Sequence, residues 1–275
     1  MERSFWVLGG DDRNFWAARH LEAVGFSVSA YGVPNLPASS LPPVFRDVIL
    51  PFPAFQGALL RGHSAVPVEE LLCRTAQDTK VYGGLLTPWK QDIETRGGEV
   101  IDLYGSEPLT TANGVLTAEG AICLAIEHGS FSLHGANCLV IGYGRIGKVL
   151  AQKLQALSSH VTVSVRKAAD QALAESFGLL TDKTGFYRHG LERFDFVFNT
   201  VPAQVLSPVQ LAALPSHCLL IELASSPGGI DKEACEKRGL SYLPAPGLPG
   251  RFFPRPAGEL YAESILELSQ GVDQP

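Results

Sequence analysis

Short apolar runs alternate with helical or turn-rich segments through the first hundred residues of the chain. Strands are predicted at residues 5–8, 27–31, 47–50, 81–86 and 99–104. Between the first two strands, Ala17, Leu21 and Val24 share one face of a predicted helix that ends at Gly25. Strands that alternate with helices favour a parallel sheet with helices packed on its faces. This half of the chain therefore predicts an α/β domain.

The same alternation resumes in the second half of the chain. One strand is predicted to begin at residue 136, and further strands are predicted at residues 161–166, 195–199, 219–223 and 241–243. One helix should begin at Ser207 and Pro208, since Ser is a favoured N-cap and Pro a favoured first residue, and another should span 232–237. This pattern predicts a second doubly wound sheet.

Two helices are predicted to link these domains. Thr117 can cap a helix that carries Glu119 in its first turn and ends before Gly129. A last helix, near 258–268, follows a complete second sheet, so we expect it to return to the first domain. The predicted fold class is α/β, with two Rossmann-like doubly wound parallel-sheet domains joined by crossing helices.

The predicted domain boundaries follow from these elements. They are a first Rossmann-like domain of residues 1–115, completed by a helix at 257–270, a crossing helix at 116–130, and a second Rossmann-like domain at 131–256.

Composition narrows the class of protein. The 275 residues are 45% hydrophobic and 18% charged, and the net charge of −6 includes no long basic run, which argues against nucleic-acid binding. No eighteen apolar residues follow one another and the N-terminus leads directly into a strand, so we expect a cytoplasmic protein without a membrane span or signal peptide. Five scattered cysteines predict buried thiols and no metal site.

The strongest chemical signal is a glycine pattern between a strand and a helix. It consists of Gly142-Tyr143-Gly144-Arg145-Ile146-Gly147. In a dinucleotide site the first glycine permits a tight turn, the second lets the backbone approach a pyrophosphate, and the third lets the helix pack on its strand. The alternative is a glycine-rich connection without a ligand.

The end of the next strand indicates which cofactor is bound. About twenty residues after the glycines, an NAD site usually carries Asp or Glu for the ribose 2′-hydroxyl. Here Ser164 is followed after one residue by Arg166 and Lys167, a cationic pair that favours a 2′-phosphate. We therefore predict that the domain at 131–256 binds NADP, which leaves the domain at 1–115 for substrate or assembly. The alternative is that the two basic residues are only solvated.

Three further loops carry candidate binding residues because ligands of parallel sheets lie beyond the carboxyl ends of the strands. Asn199-Thr200-Val201-Pro202 should lie beside the nicotinamide ribose, and Ser225 with Gly228 and Gly229 near the nicotinamide. In the first domain, Arg13 could pair with a substrate carboxylate beside Asp11. The alternatives are ordinary turns and a helix capped by Asp11 or Asp12, with Arg13 solvated.

Six motifs, taken together, resemble a known family. They are Gly9-Gly10-Asp11-x-Arg13, Thr117-Ala118-Glu119-Gly120, Gly142-x-Gly144-Arg145-x-Gly147, Asn199-Thr200-x-Pro202, Ser225-x-Pro227-Gly228-Gly229 and Pro246-Gly247-Leu248-Pro249-Gly250. In this order they resemble the A-type subunits of dipicolinate synthase from spore-forming bacteria. The resemblance spans nearly the whole chain and is weakest between residues 34 and 74.

This resemblance implies a function and a partner. The family makes pyridine-2,6-dicarboxylate, or dipicolinate, from a dihydrodipicolinate-type intermediate of the lysine pathway during sporulation. It is NADP-dependent and works with a second, flavoprotein-like B-type subunit. On that view Thr117 and Glu119 would face the substrate from the crossing helix, Ser225 would line the nicotinamide end, and Arg13 would hold a carboxylate of a small dicarboxylate substrate.

Two other functions stay open from the sequence. A 2-hydroxyacid dehydrogenase would share the architecture, but it needs an Arg after the strand at 219–223, where Ser225 and Ser226 follow instead, and a His near the last strand, where residues 246–251 contain none. A non-catalytic NADP-binding regulatory subunit is the other alternative. The oligomeric state is also open, with a homo-oligomer as one alternative.

Overall fold

A computed structural model of the chain divides into two α/β units. The structure describes residues 3–188 and 190–269. One unit contains residues 1–112 and 250–275, and the other contains residues 113–249.

The first unit is built on a five-stranded parallel sheet with the strand order β2-β1-β3-β7-β8. Its strands are β1 (Ser4–Leu8), β2 (Ser27–Tyr31), β3 (Asp47–Ile49), β7 (Lys80–Gly83) and β8 (Glu99–Asp102). A small antiparallel sheet, which the sequence did not predict, is formed by β4 (Phe55–Gln56), β5 (Leu59–Leu60) and β6 (Val66–Pro67). Helices of this unit include α1 (Asp12–Ala23), α2 (Val68–Leu72), α3 (Lys90–Thr95) and α10 (Pro254–Ser269).

The C-terminal helix α10 packs into the core of the first unit. Tyr261 and Ile265 are buried there with side chains of α1, and the Tyr261 hydroxyl donates a hydrogen bond to the carbonyl oxygen of Leu50 at 2.8 Å. Leu268, in the last turn of α10, is 43% exposed. Residue 270, the last of the predicted helix, lies outside the described residues.

The second unit is built on a six-stranded parallel sheet with the strand order β11-β10-β9-β12-β13-β14. The strands are β9 (Asn137–Ile141), β10 (His160–Val165), β11 (Leu180–Lys183), β12 (Phe196–Asn199), β13 (Leu219–Glu222) and β14 (Ser241–Pro244). The helices are α5 (Arg145–Ala156), α6 (Ala168–Ser176), α7 (Pro208–Ala213) and α8 (Lys232–Lys237), followed by α9 (Leu248–Phe252) at the unit boundary. In chain order this is 3-2-1-4-5-6, the order of a dinucleotide-binding doubly wound sheet. The predicted fold class is therefore confirmed.

Local signals placed several elements of this unit correctly. Ser207 forms a capping box with Gln210 at the start of α7, and α8 has the predicted bounds. β11 was missed because Thr181, Asp182 and Lys183 give it little apolar character, although Asp182 is buried.

The long helix α4 (Glu107–His128) begins ten residues before Thr117, the predicted N-cap. Thr117 therefore lies inside the helix, where its hydroxyl donates to the carbonyl oxygen of Asn113 at 2.8 Å. The N-cap prediction for Thr117 is wrong, because a threonine can also satisfy its hydroxyl on the carbonyl four residues before it. By length and composition alone α4 could cross a membrane, and half of its most apolar window is buried in the protein.

Candidate cofactor site of the second unit

The glycine pattern forms a tight turn at the carboxyl end of β9. Gly142 has φ +96°, and its N–H donates to the carbonyl oxygen of Ser164 at 2.9 Å. A Cβ atom on Gly142 would collide with the Thr200 side chain, and one on Gly147 would collide with the Gly142 carbonyl. Both positions therefore require glycine for the turn and for helix packing.

The start of α5 is open to a ligand. Gly144 is the N-cap residue and offers no side-chain cap, and a Cβ atom placed on it would have no heavy atom within 4 Å. Arg145 is the exposed first residue of the helix, and Ile146 is half-buried behind it. Free N–H groups and the helix dipole at such a terminus attract an anion. The turn thus fits the pyrophosphate of a dinucleotide.

Tyr143, between the two glycines, points away from solvent. Its side chain is buried, and its hydroxyl has no hydrogen-bond partner among the residues that the structure describes. The Lys148 ammonium lies 5.6 Å from the ring centroid. Burial, and secondarily the charge of Asp170, raise the pKa of the Tyr143 hydroxyl. The uncharged Tyr143 side chain therefore packs against the protein beside the turn.

Two exposed cations follow β10. The side chains of Arg166 and Lys167 make no hydrogen bond or ion pair within residues 3–188 and 190–269. The backbone carbonyl oxygen of Lys167, the N-cap residue of α6, accepts from the Gln171 N–H at 3.1 Å. Ser164, just before these cations, is fully buried and donates from its hydroxyl to the Thr184 hydroxyl at 3.0 Å. The Ser164 hydroxyl therefore makes a contact within the protein. The side chains of Arg166 and Lys167 are accessible to a ligand phosphate.

The loop after β12 is fixed by Asn199. Its buried amide donates to the carbonyl oxygen of Val201 at 2.9 Å and accepts from the Val201 N–H at 3.0 Å. The Thr200 hydroxyl donates to the carbonyl oxygen of Ile141 at 2.9 Å, which joins this loop to the glycine turn. Val201 is half-buried and Pro202 is exposed at the edge of the loop.

The loop after β13 is organised around Glu222, which sequence reasoning missed. This carboxylate is only 5% exposed and accepts hydrogen bonds from the N–H groups of Ala224, Gly229 and Ile230 and from the Asn199 amide. Gly229 is buried with no room for a Cβ atom, Gly228 has φ +80°, and Ser225 is exposed. An acidic residue at the end of an otherwise apolar strand was the signal that could have found it.

The predicted catalytic residues of this unit have separate surroundings. The Glu119 carboxylate forms an ion pair with the Lys153 ammonium of α5 at 2.8 Å, and the Thr117 hydroxyl is bonded within α4. No hydrogen bond joins Glu119, Thr117 and Ser225 to one another in the described part of the chain.

In the first unit, Asp11 and Arg13 bind each other. Asp11 is the N-cap of α1, and its carboxylate accepts two short hydrogen bonds from the Arg13 guanidinium, at 2.7 Å from Nη2 and 2.9 Å from Nε. Burial alone would raise the pKa of Asp11, but the hydrogen bonds and charge of Arg13 lower it overall. This arrangement is the capped helix start that the sequence left open as the alternative to a carboxylate site.

Two relatives are A-type subunits of dipicolinate synthase. The chain is 28% identical over 279 residues to the one from Bacillus subtilis (strain 168), covering 95% of this chain and 94% of the relative. Its fold superposes on the crystal structure of that B. subtilis protein with a TM-score of 0.84 at 27% identity, covering 98% and 96% of the two chains. The crystal structure of the corresponding protein from Bacillus halodurans gives 0.86 at 29% identity, covering 99% and 98%. No protein-family model matches the chain.

More distant structures share the fold alone. A D-isomer specific 2-hydroxyacid dehydrogenase from Lactobacillus delbrueckii ssp. bulgaricus, solved in its NAD complexed form, has a TM-score of 0.56 at 12% identity, covering 99% of each chain. The glycine turn, the strand order and the full-length likeness agree with one another. The chain is therefore related to the A-type subunits of dipicolinate synthase and has the two-domain fold of dehydrogenases.

Proposed function

We propose that this protein is the NADP-dependent dehydrogenase subunit of a dipicolinate synthase, active in the cytoplasm during sporulation. It would form pyridine-2,6-dicarboxylate from a dihydrodipicolinate-type intermediate of the lysine pathway. The observation that carries the proposal is the open N-terminus of α5 behind a turn in which Gly142 and Gly147 have no room for a side chain. Full-length similarity to the A-type subunits of dipicolinate synthase supports the choice of substrate.

The cofactor assignment has two supports. The fold is shared with an enzyme solved as its NAD complex, which supports a nicotinamide dinucleotide. The choice of NADP over NAD rests on Arg166 and Lys167, exposed and without protein partners in the described ranges, where an NAD site usually has an acid. A guanidinium and an ammonium at this point would pair with a 2′-phosphate.

The chemistry requires alignment more than a strong catalyst. NADP⁺ held at the glycine turn and by Arg166 and Lys167 would supply the hydride acceptor for a ring carbon of the dihydropyridine. Loss of one ring proton in the same conversion gives the aromatic product, so aromaticity drives the reaction. The task of the protein is then to hold the ring of the substrate against the loops after β12 and β13 and to exclude water. Ser225, exposed on the second loop, is a candidate to contact the substrate or its proton.

The substrate contacts follow from its two carboxylates. We propose that the substrate closely approaches the backbone at Gly228 and Gly229 of the second unit. We further propose that Asp11 and Arg13 of the first unit take part in binding a substrate carboxylate. The ion pair between Asp11 and Arg13 means that Arg13 can bind a carboxylate only with the nitrogen atoms that Asp11 leaves unused. Thr117 and Glu119 are proposed to act from α4. The naming of the relatives as subunits supports a partner, which we propose to be the flavoprotein-like B-type subunit of the synthase.

Turnover of a freshly prepared dihydrodipicolinate-type substrate by the pure protein tests this function. We expect NADPH to appear in step with dipicolinate, with NADP⁺ preferred to NAD⁺. Assays with and without the flavoprotein-like partner separate a protein that turns over alone from one that needs its partner. Tight NADP(H) binding with no turnover in either assay would contradict the proposed catalytic activity and favour a regulatory role. Oxidation of a 2-hydroxyacid instead would contradict the substrate.

A further inference from the structure

Glu222 joins two loops that lie side by side at the carboxyl edge of the second sheet. It is the last residue of β13, next to β12, and Asn199 lies directly opposite it in the paired strand. The Asn199 amide donates to Glu222 Oε1 at 2.7 Å, and the N–H groups of Gly229 and Ile230 donate to Oε2 at 2.9 and 3.0 Å. The Ala224 N–H donates to Oε1 at 3.2 Å. This carboxylate therefore fixes the conformation of the loop after β13. It also fixes the distance between that loop and the loop after β12.

The four groups around Glu222 require a carboxylate and no other side chain. All four are N–H donors, two to each oxygen, and only a carboxylate presents acceptors on both of its terminal atoms. A glutamine in the same place would turn an NH₂ group towards two donors in either orientation of its amide. It would therefore lose about half of the hydrogen bonds and leave buried N–H groups without a partner, which is the costly case.

The contacts continue from Glu222 to the glycine turn. Asn199 holds both polar groups of Val201, and the Thr200 hydroxyl is bonded to Ile141, the residue before Gly142. At the other end, Gly229 is packed against the carbonyl oxygens of Val201 and Ala203. A shift of Glu222 would therefore move the two loops that follow β12 and β13, while the exposed cations after β10 have no contact with it.

We propose that Glu222 is a positioning residue that sets the nicotinamide end of the dinucleotide site without touching the adenine end. This role rests on the proposed function, because the two loops are assigned to the nicotinamide through the glycine turn and the strand order. It assigns to a buried carboxylate a duty in ligand binding that is separate from its contribution to the stability of the fold.

The test compares a whole cofactor with its adenosine half. Titrations with NADPH and with adenosine 2′,5′-bisphosphate are made on the wild type and on Glu222→Gln. We expect the variant to bind NADPH at least about tenfold more weakly and to bind adenosine 2′,5′-bisphosphate like the wild type. A merely structural role would move both affinities together or neither.

Asp195→Asn is the matched control. Asp195 lies at the opposite edge of the same sheet, where its carboxylate accepts from the Asn137 N–H at 2.8 Å and contacts His217 at 3.1 Å. Its loss should lower the melting temperature and leave both ligand affinities unchanged. If Glu222→Gln does not fold, Asn199→Ala removes one donor from the same cluster and should weaken NADPH binding selectively.

The outcomes separate this role from the proposed function. A folded Glu222→Gln protein that binds NADPH normally, or loses both ligands equally, overturns the positioning role alone. The same holds for an Asn199→Ala protein with unchanged NADPH affinity. A wild-type protein that binds neither ligand overturns the proposed function and the role that depends on it.

Discussion

Replacing Arg166 with alanine should weaken NADP(H) binding about tenfold and leave NAD(H) binding unchanged. Arg166 is the first residue after β10, is exposed, and has no hydrogen bond or ion pair in the described ranges. Its removal breaks no contact of the fold, so the free energy of unfolding should change by less than about 0.5 kcal/mol. Any loss of affinity then reports a contact with the ligand.

The size of the effect follows from the exposure of the site. A charge-assisted hydrogen bond contributes about 1.5–3 kcal/mol, but solvent and salt reduce the value for exposed charges. We therefore take a value just below this range, about 1.4 kcal/mol, which is tenfold in the dissociation constant. Lys167 stands next to Arg166 and is also exposed, so the double variant should lose more.

Titration calorimetry with NADPH and NADH at low and high salt measures the effect. NADPH affinity should fall with salt more steeply than NADH affinity, because only NADPH carries the 2′-phosphate. Lys237→Ala is the control, since this cation of α8 is 77% exposed and far in sequence from the turn. An unchanged ratio of the two affinities in Arg166→Ala, or a wild type that prefers NADH, would refute the assignment of this strand end.

Three further predictions concern the glycine turn, α4 and the first unit. Gly144→Val should keep the melting temperature and abolish cofactor binding, whereas Gly147→Val should cost about 1–3 kcal/mol of stability, because only the second Cβ atom would meet backbone; retained binding in Gly144→Val would remove the turn from the site. Glu119→Gln should lower turnover while changing stability by less than about 1 kcal/mol, since the ion pair with Lys153 is only partly buried and is screened by solvent. Wild-type kinetics in this variant would contradict a catalytic role for Glu119. Asp11→Asn keeps the helix cap but removes a carboxylate whose pKa is lowered in the fold. The stability that this carboxylate contributes is fully present above the unfolded pKa of about 3.9. It is lost as the pH falls through the lower folded pKa. The variant should therefore lose less stability than the wild type on acidification, and parallel unfolding curves from pH 5 downward would contradict the ion pair.

Features that depend on a few neighbouring residues could be predicted from the sequence. The positive φ of Gly142, the capping box at Ser207 and the apolar periods of the strands are local, so the sequence indicated the fold class and the place of the glycine turn. Thr117 shows the limit of such signals, because the same residue can cap a helix or bond back within one, and the helix extends to Glu107.

Features that depend on which strands become neighbours were decided by the tertiary structure alone. Glu222 and Asn199 are 23 residues apart in the chain and meet because β12 and β13 pair in parallel. The polar strand β11 is held in the sheet by its pairing with β10, and its own sequence gives it little tendency to form a strand. A buried charge is stable only where several donors converge on it, and this convergence is set by long-range contacts that no short stretch of sequence encodes.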